Sequence, residues 1–387
     1  LLGKGDVKIK MKKIKYFKTH DYLLAYNIET LQLIKLRGIF RDLLPDILPE
    51  DYDLQKKTSF LRQISVLQDD KLKLYLSQLV NENKTLANQD SKKETLTISF
   101  APIHRCNLRC KYCYAHSGEN YTSLNRQMTK ETMEKIVYFI FNEFAPECKN
   151  LSISLVSGGE PFLNLGVCKR LIQLLKEREI NYNLFIATNA TIYNEKIKKD
   201  LTFLGAQLGI SIDGEQKYHD KNRIYADGGG TYNDVIHTME SIQRDDFLPL
   251  KTRNFIAMTV LTADNLDLVG ILKHHKRMHV NSVQIKLVRS DDCDYSLNEK
   301  NLDLFKQAYR ELYAFLLSEY CAGNIEYLLM ISNSTDYFGK FIKNLVLGMR
   351  NEYRCGAGRD RFSFTADGSI YPCDNFVGNP EFFLGNI

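Results

Sequence analysis

No stretch of this sequence approaches the roughly 20 consecutive apolar residues that a membrane-spanning helix needs, so a helical span is excluded. The opening residues, LLGKGDVKIKMKK, carry lysines, but neither an apolar core nor a small-residue cleavage site follows, which excludes a secretory signal. Position 1 is not Met, giving the expectation that the chain is incomplete at its start. Cysteine is sparse and odd in number, nine in 387 residues. Without an export signal, that count argues against a disulfide framework and for reduced thiols in the cytoplasm. A strong charge of one sign is also missing: the net charge of +5 does not argue for nucleic acid. The exception is local, seven lysines against the single acid Asp6 in the first twenty residues. That is either a solvated basic arm or a surface that attracts an acidic partner. The expectation is a soluble cytoplasmic protein with no nucleic acid and no membrane among its partners.

The chain is long enough for two or three domains, and its rhythm divides it. Residues 8–36 read as extended: KIKYFKT, YLLAYNI, a polar turn at Glu29–Thr30, then LQLIKL, the profile of short strands in a hairpin. Residues 37–85 switch to helical periodicity through Leu72, Leu74, Leu76, Leu79 and Val80. Together they predict a small N-terminal α+β domain over 1–85, winged-helix-like, followed by a polar linker over 81–94. From residue 95, apolar strands alternate with amphipathic helices: TLTISFAP, LSISLVS, NLFIAT, QLGISI, NFIAMTVL and SVQIKLV, with helices near 129–145, 164–178, 194–204, 232–244 and 266–278 and ELYAFLLSEYC closing the last unit. Six strand-then-helix units imply an α/β fold with a parallel sheet and right-handed crossovers, open or barrel-like. Function in such sheets collects at the C-terminal ends of the strands.

Just past the first of these strands stands APIHRCNLRCKYCYAHS, with Cys106, Cys110 and Cys113 inside eight positions. A structural zinc site wants four ligands, and His104 or His116 is near enough in sequence to add one. A cubane iron–sulfur cluster held by three thiolates leaves one iron open to an outside ligand. The spacing alone does not separate the two metals.

The later rim loops bear on the choice. SGGEP (Ser157–Pro161) offers two glycines, Gly158 and Gly159, that admit close backbone approach, and Glu160, which can accept from an ammonium group. TNA carries Asn189; SIDG carries Ser211 and Asp213, suited to ribose hydroxyls or a positive centre. Arg223 can pair bidentately with a carboxylate. Each motif alone reads equally as a turn. Gathered on one rim, they describe a pocket for an amino acid joined to a nucleoside.

With these residues on one rim, the chain resembles the radical S-adenosylmethionine (radical SAM) enzymes from about Thr95 to about Val288. CNLRCKYCY matches the family's cysteine motif, Tyr112 included. The resemblance implies a partial (β/α)6 TIM-like barrel over 95–325, with Cys106, Cys110 and Cys113 ligating a [4Fe–4S] cluster. It implies that Tyr112, Gly158, Gly159, Glu160, Asn189, Ser211, Asp213 and Arg223 hold S-adenosyl-L-methionine. The cluster's free iron would chelate that molecule, and reduction would release a 5′-deoxyadenosyl radical that abstracts hydrogen from a substrate carbon. It implies an electron donor such as flavodoxin or ferredoxin.

The tail CGAGRDRFSFTADGSIYPC resembles the opening of a SPASM domain over 350–387, in which Cys355 and Cys373 serve auxiliary [4Fe–4S] clusters. Twelve residues separate Cys355 from Gly368, and four separate Gly368 from Cys373. The family's later cysteines are missing, so this domain is expected to be truncated here. Asp374 matches a proton acceptor of the related anaerobic sulfatase-maturating enzymes; it equally suits a turn cap. Cys148, Cys168, Cys293 and Cys321 read as packing or incidental thiols. The N-terminal unit resembles the leader-recognition domains of enzymes that modify ribosomally made peptides (RiPP maturases), which bind by strand addition.

The expected function is a radical SAM/SPASM peptide maturase, an oxidoreductase that abstracts hydrogen from a precursor peptide with a leader and forms a cross-link such as a thioether. The alternatives are a sulfatase-type maturase that makes formylglycine, and a non-catalytic iron–sulfur or zinc protein.

Overall fold

The computed structural model describes residues 95–115, 127–156, 158–288, 295–332, 339 and 355–387, and the backbone of three strands before them. The helical expectation over 37–85, the linker over 81–94, and His116, Ser157 and Cys293 lie outside the described residues. The chain divides into two compact units, Leu1–Glu82 with Leu316–Arg354, and Asn83–Phe315 with Cys355–Ile387.

In the first unit, β1 (Ile14–Lys18), β2 (Leu23–Asn27) and β3 (Gln32–Leu36) form an antiparallel meander. Ile14 lies opposite Asn27, and Leu23 opposite Leu36. The expected hairpin is thus a three-stranded sheet with β1 and β3 at its edges.

The second unit is built on the expected alternation. Its strands are β4 (Thr95–Phe100), β5 (Asn150–Leu155), β6 (Asn181–Thr188), β7 (Gln207–Ser211), β8 (Ile256–Leu261) and β9 (Val283–Leu287), and each pairs in parallel with the next. The helices between them are α1 (Lys130–Phe139), α2 (Val167–Glu177), α3 (Glu195–Leu204), the short α4 (Gln216–Asn222), α5 (Tyr232–Arg244), α6 (Leu250–Arg253) and α7 (Leu268–Arg277). In the chain α8 (Leu302–Cys321) and α9 (Glu326–Ser332) follow β9; α8 starts in this unit, and its end and α9 belong to the first. Local chemistry sets several boundaries. The Thr129 hydroxyl accepts from Thr132 N at the start of α1. Asn194 does the same for Ile197 N at α3, which stops at Gly205 with φ +55°, a conformation glycine adopts without a Cβ penalty.

Sheet order equals chain order from β4 to β9, so every crossover steps one strand in the same direction, as in a (β/α) barrel rather than a doubly wound sheet. Among the described residues the sheet stays open, with edges at β9 and at its other end, and the barrel is partial. Ile98, Phe100, Leu155, Ile186, Leu208, Ile210, Ala257, Leu261 and Val283 are fully buried along it. Removing such apolar side chains from water is the main favourable contribution to folding, about 1.5–3 kcal/mol for each large one.

The C-terminal segment adds what the alternation did not foretell. Strand β10 (Arg361–Phe364) pairs in parallel with β4, and β11 (Ser369–Tyr371) and β12 (Gly385–Asn386) continue antiparallel, so the sheet has nine strands. The Phe364 ring stacks on Phe100 at 5.8 Å, which fixes the segment to the first barrel strand. Among the described residues no helix is long and apolar enough to cross a membrane.

Candidate active site

The loop after β4 carries the three cysteines, and backbone pairing holds it. Arg109 N donates to Ile224 O at 2.7 Å and Lys111 N to Asn222 O at 3.0 Å, while Leu108 is buried and bridges to Tyr225. Cys113 N donates to Cys110 O at 3.1 Å, and Leu108 N lies 3.4 Å from Cys106 Sγ. The three thiols are half-buried. Burial pushes Cys106 up to about 12 and Cys110 up to about 11, with the other thiols adding to the rise and Arg223 opposing it at Cys110. Thiols so placed ionise when a positive centre joins them.

Among the described residues no three His, Cys, Asp or Glu side chains converge tightly enough to chelate a single ion. His104, a candidate fourth zinc ligand, turns instead to the C-terminal segment: it is buried and its Nε2 accepts from Ala366 N at 3.2 Å. Burial lowers its pKa to about 4, with Asp367 partly opposing the shift. A cubane puts each cysteine on a different iron, so its ligands need not converge. The donor set, three thiols on one loop, fits that group.

The SGGEP loop meets the cysteine loop backbone to backbone. Gly158 has φ +104°. A Cβ on Gly159 would stand 2.3 Å from Ile103 O and 2.7 Å from Arg105 O. Gly159 therefore admits the cysteine loop itself, whatever it also admits from a ligand. Glu160 N donates to Arg105 O at 3.1 Å and ties the two loops. The Glu160 carboxylate is 2% exposed and accepts three protein hydrogen bonds, from Phe162 N (3.0 Å), Thr188 Oγ1 (2.7 Å) and Asn189 N (2.8 Å). Burial raises its pKa, against these bonds.

Asn189 passes this anchoring on. Its Nδ2 donates to Asn107 Oδ1 at 2.9 Å and lies 3.6 Å from Cys106 Sγ; its Oδ1 accepts from Thr191 N and Thr191 Oγ1. Asn107 in turn donates to Thr191 Oγ1 at 2.8 Å. The next residue, Ala190, sits at φ +55°, a region that L side chains enter at a cost. The locked Asn189 and Thr191 hold it there. Asn107 and Thr191 escaped the sequence reading, and Thr188 was noted only as part of TNA; a polar residue between two cysteines of the motif was the available signal for Asn107.

A second network joins the cysteine loop to β7 and β8. Asp213 is 1% exposed. Its Oδ1 accepts from Val260 N at 2.9 Å, and its Oδ2 accepts from Arg223 Nε at 3.1 Å and from the Tyr112 hydroxyl. All three bonds go to protein, although the sequence offered this carboxylate to ribose. Arg223 lies over the Tyr112 ring at 5.4 Å. Burial works against its charge, but Asp213 and the other acidic groups nearby raise its pKa on balance. Burial also raises the Tyr112 pKa well above its usual value. Ser211, half-buried at the end of β7, has a hydroxyl to which no described residue hydrogen-bonds.

At the C-terminal segment, Gly358 N donates to Pro372 O at 3.1 Å, so the turns that follow Cys355 and precede Cys373 are neighbours. Gly368 makes the β10–β11 turn with φ +86°. Cys355 is exposed and Cys373 buried, its pKa raised by that burial. Asp374 opens a 3-10 turn with a half-buried carboxylate that makes no hydrogen bond among the described residues. Cys148 and Cys168 are buried within the fold, as packing thiols should be; Cys321 is exposed.

The protein-family model of the Radical SAM superfamily matches residues 100–273, the span that contains both networks. A cysteine-type anaerobic sulfatase-maturating enzyme of Clostridium novyi (strain NT) is 28% identical over 299 residues, covering 73% of this chain and 74% of its own. A GTP 3′,8-cyclase of Thermodesulfovibrio yellowstonii is 24% identical over 281 residues, covering 70% and 79%. The solved structure of native anSMEcpe with bound AdoMet superposes with a TM-score of 0.60 at 24% identity, covering 75% of this chain and 78% of that one. These relatives differ in reaction, so the shared barrel does not name a substrate. The superfamily works with a [4Fe–4S] cluster and S-adenosylmethionine. By this match and its cysteine loop, the chain carries a radical SAM domain over residues 100–273 and is an enzyme.

Proposed function

We propose that the chain is a radical SAM maturase acting on a peptide or protein, with residues 1–85 recognising a leader, 95–325 forming the catalytic barrel and 350–387 a SPASM domain. The observation that carries the reading is the pair of buried networks that bind the cysteine loop to the SGGEP, TNA and SIDG loops at the strand ends. Cys106, Cys110 and Cys113 would hold the cluster. When bound and reduced, the cluster supplies the electron for cleaving S-adenosylmethionine, and with it the power to take a hydrogen atom from a substrate carbon.

The chain's own residues do the positioning. The Nη groups of Arg223 have no hydrogen bond to any described residue, which leaves its fork for the ligand's carboxylate. Glu160 has spare acceptor capacity for the ammonium, since an ionised carboxylate has about four lone-pair sites and protein fills three. The unbonded Ser211 hydroxyl suits ribose. Gly158, Gly159 and Asn189 would border the bound S-adenosylmethionine, and Tyr112, bonded to Asp213, ties the cysteine loop to the end of β7. Cys355 and Cys373 supply two of the thiolates of an auxiliary cluster. A one-electron carrier such as flavodoxin or ferredoxin would be the electron donor.

For the bond made, a cross-link such as a thioether is our first reading, supported by the edge strands β1 and β3, which suit leader binding by strand addition. The similarity to sulfatase-maturating enzymes and the uncommitted Asp374 carboxylate favour a second reading, oxidation of a cysteine to formylglycine. Mass spectrometry of two peptides separates them. A leader-bearing precursor should lose two hydrogens on cross-linking, whereas a sulfatase-derived cysteine peptide should exchange its thiol for an aldehyde. If neither peptide changes while S-adenosylmethionine is cleaved, the maturase reading fails.

A further inference from the structure

Thr231 stands at the N-cap of α5 and does not cap it. A threonine there ordinarily accepts from an amide of the first turn. Here Asp220 takes over part of that role: its Oδ1 accepts from Thr231 N and from Tyr232 N, each at 2.8 Å. The close fit depends on Gly230, where a Cβ would stand 2.3 Å from the Asp220 carboxyl carbon. The Thr231 hydroxyl is thereby released for another contact. It donates to Arg223 O at 2.9 Å.

That donation fixes the protons around it. Thr231 has one hydroxyl proton, so His219 Nε2, 2.9 Å away, must donate to Thr231 Oγ1 rather than accept. The other imidazole nitrogen, Nδ1, is then the acceptor, and Asp213 N donates to it at 3.3 Å. Arg223 Nε donates to Asp213 Oδ2 at 3.1 Å. The bonds close a ring that runs from the Asp213 backbone through His219 and Thr231 to the Arg223 backbone, and from the Arg223 side chain back to the Asp213 side chain. Its members are 0% exposed at His219 and Thr231, 1% at Asp213 and 8% at Arg223. Burial holds His219 in the neutral form that the ring requires, its pKa lowered to about 4.

We propose that Thr231 and His219 are positioning residues that hold the Arg223 guanidinium for the carboxylate of S-adenosylmethionine. The proposal rests on the reading of Arg223 given above. Neither residue needs to touch the ligand. A long arginine side chain loses much rotamer freedom on binding; with its main chain and its Nε both tied, this one has surrendered that freedom beforehand.

The test uses the full chain with its cluster reconstituted anaerobically. It compares S-adenosylmethionine Kd and the saturated rate of 5′-deoxyadenosine formation in wild type, Thr231→Val, Thr231→Ser, Arg223→Ala and the Thr231→Val/Arg223→Ala pair. Thr231→Val, which removes both hydrogen bonds of the hydroxyl, should raise Kd about tenfold, with the saturated rate retained. Thr231→Ser, which keeps the hydroxyl, should bind like wild type. In the Arg223→Ala background Thr231→Val should change Kd no further, because residues that act through one another are not additive. A wild-type Kd in Thr231→Val, or the same tenfold factor in both backgrounds, overturns the proposal while leaving the pocket reading intact. A wild-type Kd in Arg223→Ala overturns the pocket reading and the proposal with it. If Thr231→Val does not fold, His219→Leu breaks the same ring and carries the same expectations.

Discussion

Replacing Glu160 with Gln separates a carboxylate that holds the loops from one that only touches ligand. The carboxylate accepts from Phe162 N and Thr188 Oγ1 on Oε1 and from Asn189 N on Oε2. A glutamine can keep its carbonyl oxygen on the Oε1 side and retain two of those bonds. Its amide then faces Asn189 N, donor against donor, and that buried amide is left unsatisfied at a cost of about 1–3 kcal/mol. The loss spreads, because the Asn189 side chain steadies Asn107 and Cys106. Glu160→Gln should therefore lower the unfolding free energy by about 1–3 kcal/mol and weaken S-adenosylmethionine binding, and Glu160→Ala should do both more severely. Denaturant unfolding and equilibrium binding on the same preparations read the two effects. Wild-type stability with weakened binding would refute the anchoring argument and leave Glu160 as an ammonium acceptor alone.

Four buried histidines make the fold acid-labile: burial lowers His104, His219 and His274 to about 4 and His275 to about 3. Their folded values lie below the usual 6.5, so the stability they contribute is full above that pH and is lost as pH falls towards 4. At pH 5 the cost is roughly 2 kcal/mol for each independent site; urea midpoints that do not fall between pH 6.5 and 5 would contradict it. Proline substitutions in the edge strands, at Lys15 or Phe17 in β1 and at Leu33 or Lys35 in β3, remove backbone donors. They should slow modification of a leader-bearing peptide severalfold while sparing a leaderless one and uncoupled S-adenosylmethionine cleavage. Equal slowing of both peptides would make the sheet a structural cap.

The barrel was legible because each of its strands is a short apolar run followed by an amphipathic helix, and the cysteine loop because three thiols in eight positions have few uses. β10 was not legible. Its four residues reach β4 across more than two hundred and fifty residues of chain, and no local pattern announces a parallel partner so distant. The roles inside the motifs were hidden for a different reason. Glu160 and Asp213 are acids on a ligand-binding rim, yet main-chain and side-chain donors of their own fold take three bonds on each. Main-chain donors have no letter in the sequence. Thr231 shows the same limit: a threonine before a helix reads as a cap, and only the position of Asp220 reveals that its hydroxyl is used elsewhere.

The central claim is that Cys106, Cys110 and Cys113 hold the cluster that cleaves S-adenosylmethionine. Protein prepared without oxygen should be brown, contain iron and sulfide, and form 5′-deoxyadenosine once reductant is added. Changing the three cysteines together to Ala, with Cys355 and Cys373 kept, should abolish that product. Undiminished 5′-deoxyadenosine from the triple variant, or a wild-type protein that binds zinc in place of iron, would contradict the account.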